Sequence, residues 1–248
     1  MTSYLPELAG LAKGLRKGRN VYEGYQRGWG LQFGELRAAV LADPLYQEAL
    51  GLAEGRTIMA EFNRMNIFLL LRFYTSALAP GHVIEFGSFK GGNAIFIAHV
   101  ARTLHPGMKV YALDTFEGMP ETDKAVDAHN AGDFAGVDLA ELRRYAAAQK
   151  LDNLEFVQGF FENTAPGVLA RSGPIAIAHI DCDILPSVQY SYEVVKPCMV
   201  PGGYYVFDDA TVSSCIGATE VVEDLVIRRD GLNSEQIYPH FVFRAPGA

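Results

Sequence analysis

Five short apolar runs that alternate with helical stretches constrain this chain more than any other feature. The runs are Val83–Gly87, Lys109–Asp114, Leu154–Gln158, Pro174–Asp181 and Tyr204–Asp208. Helical patterns cover Gly92–Leu104, Asp138–Lys150, a stretch from about Ser187, and Ser214–Arg229. Strands separated by helices pair through crossovers, which makes a parallel sheet with helices on both faces. Pro174–Asp181 is apolar at almost every position, as a strand covered on both faces should be. The expectation is an α/β, doubly wound, mostly parallel sheet, with one or two further strands in Gln236–Arg244.

Upstream, Thr57–Leu78 repeats apolar residues at helical spacing, among them Ile58, Phe62, Met65, Phe68, Leu69 and Phe73. Asp43–Pro44 is a helix start, with Pro at the first helical position after an Asp cap. A long polar loop runs from Thr115 to Val137. No repeat or linker interrupts the chain, so it reads as one domain, 57–248, behind a helical extension, 1–56. The aromatics of that extension (Tyr22, Tyr25, Trp29, Phe33) suit either the lining of an acceptor pocket or packing and dimer contacts.

Bulk properties exclude several classes. A formal net charge of −8 on 248 residues argues against a nucleic-acid partner, which needs a concentrated basic surface. Cys182, Cys198 and Cys215 are odd in number and form no C-x-x-C pair, so neither a disulfide framework nor a zinc motif is implied. A reduced, cytoplasmic setting follows. The first residues carry no signal-peptide pattern, and no apolar run reaches the ~20 residues needed to span a membrane.

Ligands of open parallel sheets bind at the carboxyl ends of the strands, and the informative residues stand there. The first strand leaves as Glu85-Phe86-Gly87-Ser88-Phe89-Lys90-Gly91-Gly92, and the second ends on Asp114. Glycines let a backbone turn sharply and approach a ligand. An acid at the second strand end can accept hydrogen bonds from ribose hydroxyls. The spacing G-x-x-x-G-G differs from the G-x-G-x-x-G of a dinucleotide site, and Glu85 suits a cationic group better than a diphosphate. Glu85, Gly87, Ser88, Gly91, Gly92 and Asp114 are therefore candidates to hold an adenosyl cofactor with a methionine amino group.

The later strands end on carboxylates: His179-Ile180-Asp181-Cys182-Asp183 and Phe207-Asp208-Asp209. Buried like charges repel, and a divalent cation removes that conflict. Mg²⁺ prefers hard oxygen donors and leaves positions for water or substrate. Asp181, Asp208 and Asp209 are the candidate ligands. If the strand persists, His179, Asp181 and Asp183 share one face. Asp183 is the first candidate to receive a proton, with Asp181 beside it. His179 reads more naturally as a core histidine, and His129 and His240 stand in or near loops.

These residues resemble the macrocin O-methyltransferase family, class I S-adenosylmethionine-dependent enzymes that tailor natural-product sugars. The matching segments are Ile84-Glu85-Phe86-Gly87 with Gly91-Gly92, Asp114-Thr115-Phe116-Glu117-Gly118-Met119-Pro120, and Phe156 to Thr164. They continue with His179 to Asp183, Gly202-Gly203-Tyr204 leading to Asp208-Asp209, Cys215-x-Gly217-Ala218, and Phe243-Arg244. The resemblance implies a Rossmann-like methyltransferase sheet, S-adenosylmethionine, a divalent metal on Asp181, Asp208 and Asp209, and a sugar or natural-product hydroxyl as acceptor. It also implies cofactor contacts from Thr115, Phe116, Gly159 and Phe160, and a homo-oligomer. The family's D-G-D-x-Y run followed by an acid is altered here to Cys182, Leu185 and Pro186. The lysine that catechol-type enzymes carry three residues after the first metal Asp is Ile184. Two other readings compete: an NAD(P)-linked oxidoreductase on a similar sheet, and a silent module that binds S-adenosylmethionine.

Overall fold

A computed structural model of the chain describes Leu31 and residues 35–247. The aromatic candidates Tyr22, Tyr25, Trp29 and Phe33 lie outside the described residues. A seven-stranded sheet has the order β3-β2-β1-β4-β5-β7-β6. Its strands are β1 (His82–Phe86), β2 (Val110–Asp114), β3 (Leu154–Gln158), β4 (Ile175–Ile180), β5 (Met199–Phe207), β6 (Ser234–Gln236) and β7 (Phe241–Arg244). The first five are parallel, and β7 runs antiparallel to both β5 and β6. β4 borders β1, and β5 is one strand further out.

Alternate strand residues feed two apolar layers, because successive side chains point to opposite faces. Val83, Val110, Ala112, Tyr204 and Val206 join one layer; Ile84, Phe86, Leu113, Ala178, Ile180 and Phe207 join the other. The first layer is covered by α1 (Glu35–Leu41), α2 (Pro44–Ala53), α3 (Glu61–Leu69) and α4 (Gly92–Leu104), with α5 (Leu139–Ala148) toward β3. The second is covered by α6 (Phe161–Ser172), α7 (Leu185–Val195) and α8 (Ile216–Val221) with its π-helical continuation Val222–Arg229.

Asp43 caps α2 as its sequence signal implies, its Oδ1 accepting the Leu45 amide at 2.9 Å. Asp138 caps α5 likewise through the Glu141 amide at 2.8 Å. Tyr46, Phe68 and Phe96 meet edge-to-face and lock α2, α3 and α4 together, with ring centroids 5.3 to 6.5 Å apart. Removing a buried ring such as Phe96 costs about 3–5 kcal/mol.

Four elements depart from the sequence pattern. The expected helix from Thr57 begins at Glu61, and Thr57–Ala60 is non-helical above the strand ends. α6 stands where the sequence pattern marks no element, since Pro166 interrupts it and Gly159 and Gly173 flank it. The Pro201-Gly202-Gly203 turn is absorbed into β5, whose pairing with β4 shifts register there. β4 ends at Ile180, so Asp181 and Asp183 do not continue its face.

Candidate active site

The glycine loop after β1 is shaped by contact with the scaffold. Gly87 has φ +86°, and a Cβ there would lie 1.7 Å from the Asp181 carbonyl oxygen. Any side chain would therefore push the exits of β1 and β4 apart. Gly91 and Gly92 face away from the cavity described below. A Cβ on Gly91 would strike Leu142 and Phe156, and one on Gly92 would strike the Arg56 carbonyl. These two glycines serve packing: the Gly92 amide donates to Arg56 O at 3.0 Å, seating the 56–60 segment on α4.

Asp114 holds the loop from the neighbouring strand. Its Oδ2 accepts the Ser88 and Phe89 amides at 2.7 Å, and its Oδ1 accepts the Phe116 amide at 2.7 Å. A carboxylate offers about four acceptor positions, so one good position remains. The Thr115 hydroxyl serves mainly the Gly118 carbonyl, at 2.9 Å. Phe89 and Phe116 adopt positive φ, +47° and +56°, sparsely populated conformations that cluster at functional sites.

Behind the loop lies a buried polar chain. The Glu85 carboxylate accepts the Ser88 hydroxyl at 2.8 Å and the Asn93 amide at 2.6 Å, and meets His179 Nδ1 at 3.2 Å. His179 Nε2 is 3.5 Å from Asp208 Oδ1, which also takes Asn63 Nδ2 and His240 Nδ1 at 2.9 Å. Burial opposes charge on His179, but its bonds to Asp208 and Glu85 hold its pKa well above the usual imidazole range. His179 is thus the interior histidine its sequence context suggests. Burial would raise Asp208, yet the hydrogen bonds from His179 and His240 hold it below the usual carboxylate range. Asn93 Oδ1 is buried without a hydrogen-bond partner among the described residues. Such an acceptor, beside Glu85, fits a donor group on a cationic ligand.

Asp181, Asp208 and Asp209 bring carboxylate oxygens within 4.8 Å of one another. Burial, then the charges of Asp208 and Asp209, push Asp181 well above the ordinary carboxylate range. Burial and the charges of Asp183 and Asp208 do the same to Asp209. Among the described residues Arg56 is the one cationic side chain lining the cavity, and its guanidinium is spent on Glu141 at 3.1 Å. Three converging hard oxygen donors, two of them pushed up by burial and neighbouring carboxylates and offset only in part by His179, fit a Mg²⁺-type ion. Asp183 sits at φ +60° and donates its amide to Asp209 Oδ2 at 2.8 Å.

Both groups open onto one cavity of about 560 Å³. Of the sequence candidates, Glu85, Gly87, Ser88, Asp114, Thr115, Phe160, Asp181, Asp183, Asp208 and Asp209 line it. Gly91, Gly92, Phe116 and Gly159 are not among its lining residues. The Phe116 ring is buried edge-on against Phe156, 6.0 Å between centroids. Arg56–Ala60, Asn63, Asn93, Phe89 and Phe134 line it although none was a site candidate in the sequence. A signal existed for Asn93, an amide in the otherwise apolar stretch 92–98; Asn63 stands among Glu61, Arg64 and Asn66 and carried none.

Comparison with known proteins bears on the family and the fold. The macrocin-O-methyltransferase (TylF) family model matches residues 62–227, more than half of the chain. A rhamnosyl-tetracenomycin-C 4'-O-methyltransferase from Streptomyces olivaceus is 31% identical over 148 residues, 55% of each chain. Mycinamicin III 3''-O-methyltransferase from Micromonospora griseorubida is 26% identical over 168 residues, 63% of this chain and 64% of its own. The chain thus matches little more than half of the first of these relatives and under two thirds of the second. In structure it is similar to the O-methyltransferase NovP, with TM-score 0.66, 20% identity, and 81% of this chain and 88% of that one covered. The calicheamicin methyltransferase CalS11 gives TM-score 0.62 at 17% identity, covering 98% and 94%. No described helix is long and apolar enough to cross a membrane. With the family model matched over residues 62–227, the chain belongs to the macrocin-O-methyltransferase family.

Proposed function

We propose that this protein transfers the methyl group of S-adenosylmethionine to a hydroxyl of a small-molecule acceptor, a sugar or glycosylated natural product. The observation that carries the reading is that Glu85 and Asp114 and the Asp181–Asp208–Asp209 cluster face one cavity. The relatives' names, both sugar O-methyltransferases of natural products, support the acceptor class.

When bound, S-adenosylmethionine supplies an electrophilic methyl on a sulfonium, and a divalent cation supplies charge that eases loss of the acceptor's proton. The residues do the rest. Glu85 and Asn93 Oδ1 receive the methionine ammonium, and the free acceptor position of Asp114 receives a ribose hydroxyl. Thr115, Gly118 and Phe160 border the nucleoside. Asp181, Asp208 and Asp209 hold the cation, while His179, His240 and Asn63 fix Asp208. Asp183, on the cavity wall, takes the hydroxyl proton. Thr57–Ala60 and Phe134 close the cavity and exclude water. Holding the two reactants in line is itself worth about 7–11 kcal/mol of barrier. The division into residues 1–56 as acceptor cover and 57–248 as methyltransferase domain, and the homo-oligomeric state, belong to the same proposal.

Calorimetric titration separates this reading from an oxidoreductase: S-adenosylmethionine binds and NAD does not. Turnover of glycosylated metabolites with labelled methyl donor, abolished by EDTA and restored by Mg²⁺, separates it from a silent binding module. Tight binding of NAD alone, or full activity in EDTA, overturns it.

A further inference from the structure

Beside the three aspartates lies a second set of donors of different chemistry. His129 comes from the long polar loop, Asp183 follows β4, and Cys215 precedes α8. His129 Nε2 is 3.3 Å from Asp183 Oδ1, Cys215 Sγ is 3.6 Å from His129 Nε2, and Cys215 Sγ is 3.5 Å from Asp183 Oδ1. A tetrahedral Zn²⁺ bound at about 2.3 Å to sulfur and about 2.0–2.1 Å to nitrogen and oxygen sets its donors about 3.3–3.6 Å apart. The triangle has the dimensions of one face of that tetrahedron.

The loop that brings His129 is held in place. Its Asp127 carboxylate accepts the Leu185 amide at 3.2 Å, Val126 O accepts the Gly217 amide at 3.2 Å, and the Ala128 amide donates to Ser214 O at 3.3 Å. Thr122 and Lys124 both donate to the His129 carbonyl. Asp133 Oδ2 stands 3.6 Å from His129 Nδ1. A carboxylate on the far side of the imidazole is the usual companion of a metal-binding histidine, because it orients the ring. Asp183 also lines the cavity, while His129 and Cys215 stand behind its wall.

We propose that His129, Asp183 and Cys215 form a zinc-type site, separate from the three-aspartate site, with three protein ligands and one open position. Binding replaces the S–H bond of Cys215 with a metal–thiolate bond and releases one proton to solvent. Resting on the function proposed above, occupation of this site engages Asp183 and inhibits methyl transfer.

The test is Co²⁺ titration of the EDTA-stripped full chain in saturating Mg²⁺, followed by absorption. The expected result is a near-ultraviolet thiolate-to-cobalt band that saturates at one ion per chain. It should be lost in Cys215→Ser and retained in Cys198→Ser, with affinity falling about tenfold or more in His129→Ala. Absence of the band in the wild-type protein, or its persistence in Cys215→Ser, overturns the site. Should Cys215→Ser fail to fold, an unchanged cobalt affinity in His129→Ala gives the same refutation. The spectrum is independent of turnover, so failure to find any methyl acceptor would sink the proposed function and leave the zinc site standing. In the active enzyme, Zn²⁺ should lower the Mg²⁺-supported rate of wild-type protein roughly tenfold more than that of Cys215→Ser. Equal inhibition removes the claim that the site controls catalysis.

Discussion

The two sides of the cavity handle negative charge in opposite ways. On the β1–β2 side, Asp114 is satisfied by three backbone amides and Glu85 by Ser88, Asn93 and His179. On the β4–β5 side, Asp181 and Asp209 gain few donors, and burial and neighbouring carboxylates push their pKa upward. The first side is finished by folding. In the function proposed above, the second is finished by a cation, which would relieve the repulsion among its carboxylates. On that proposal, the nucleoside side would keep its shape without metal, and the electrostatic tension would lie at the reacting end.

The contrast can be broken most violently where the two sides touch. Gly87→Ala places a Cβ 1.7 Å from the Asp181 carbonyl, so the variant should yield little soluble folded protein. Normal yield and thermal stability would show that the strand exits are looser than described. Next in size, Asp208→Ala should cut turnover by about 10²–10³-fold while S-adenosylmethionine affinity changes only a few-fold. Equal losses in both, by single-turnover assay and calorimetry, would erase the division of labour.

Asp114→Ala tests the finished side. It frees three loop amides and should weaken S-adenosylmethionine binding by about 10–100-fold, with Mg²⁺ binding unaltered. A purely catalytic defect would argue that Asp114 serves something other than the loop and nucleoside. For the unfinished side, Mg²⁺ at about 100 times its Kd should add about 2.7 kcal/mol of stability, seen as a rise in Tm. That rise should vanish in Asp181→Asn/Asp209→Asn, whose metal-free form should be more stable than the metal-free wild type.

The smallest effect concerns a carboxylate paired with cations rather than with other acids. Burial tends to raise Asp230, but Arg229, Lys196 and Tyr192 outweigh it and hold the group below its usual pKa. A depressed folded pKa contributes stability above the unfolded value of about 3.9, and that contribution is lost as pH falls further. Asp230→Asn should therefore cost about 1–2 kcal/mol at neutral pH and nothing at strongly acid pH. A pH-independent cost in denaturant titrations would assign the loss to packing instead.

How much of this was legible before folding varies by residue. Glu85, Gly87, Asp114 and the three aspartates announce themselves because a parallel sheet collects its strand exits at one edge. Gly91, Gly92 and Phe116 sit in equally conspicuous motifs, yet their neighbours are Arg56, Leu142 and Phe156 rather than the cavity. A motif names residues that matter locally without saying which side of the backbone they serve. α6 escaped notice because Pro166 and the flanking glycines are breaker signals that tertiary packing overrode.

By itself, the order of apolar runs and punctuating glycines determined the parallel sheet and the edge where its chemistry gathers, since strand periodicity and crossover handedness are local rules. Contacts between residues far apart in the chain were decided only by the folded structure. Asn63 reaching Asp208 across 145 residues and His129 reaching Asp183 are of this kind. They depend on how loops and helices pack over the strand exits, and no periodicity encodes a distance between residues that meet only after the chain has closed on itself.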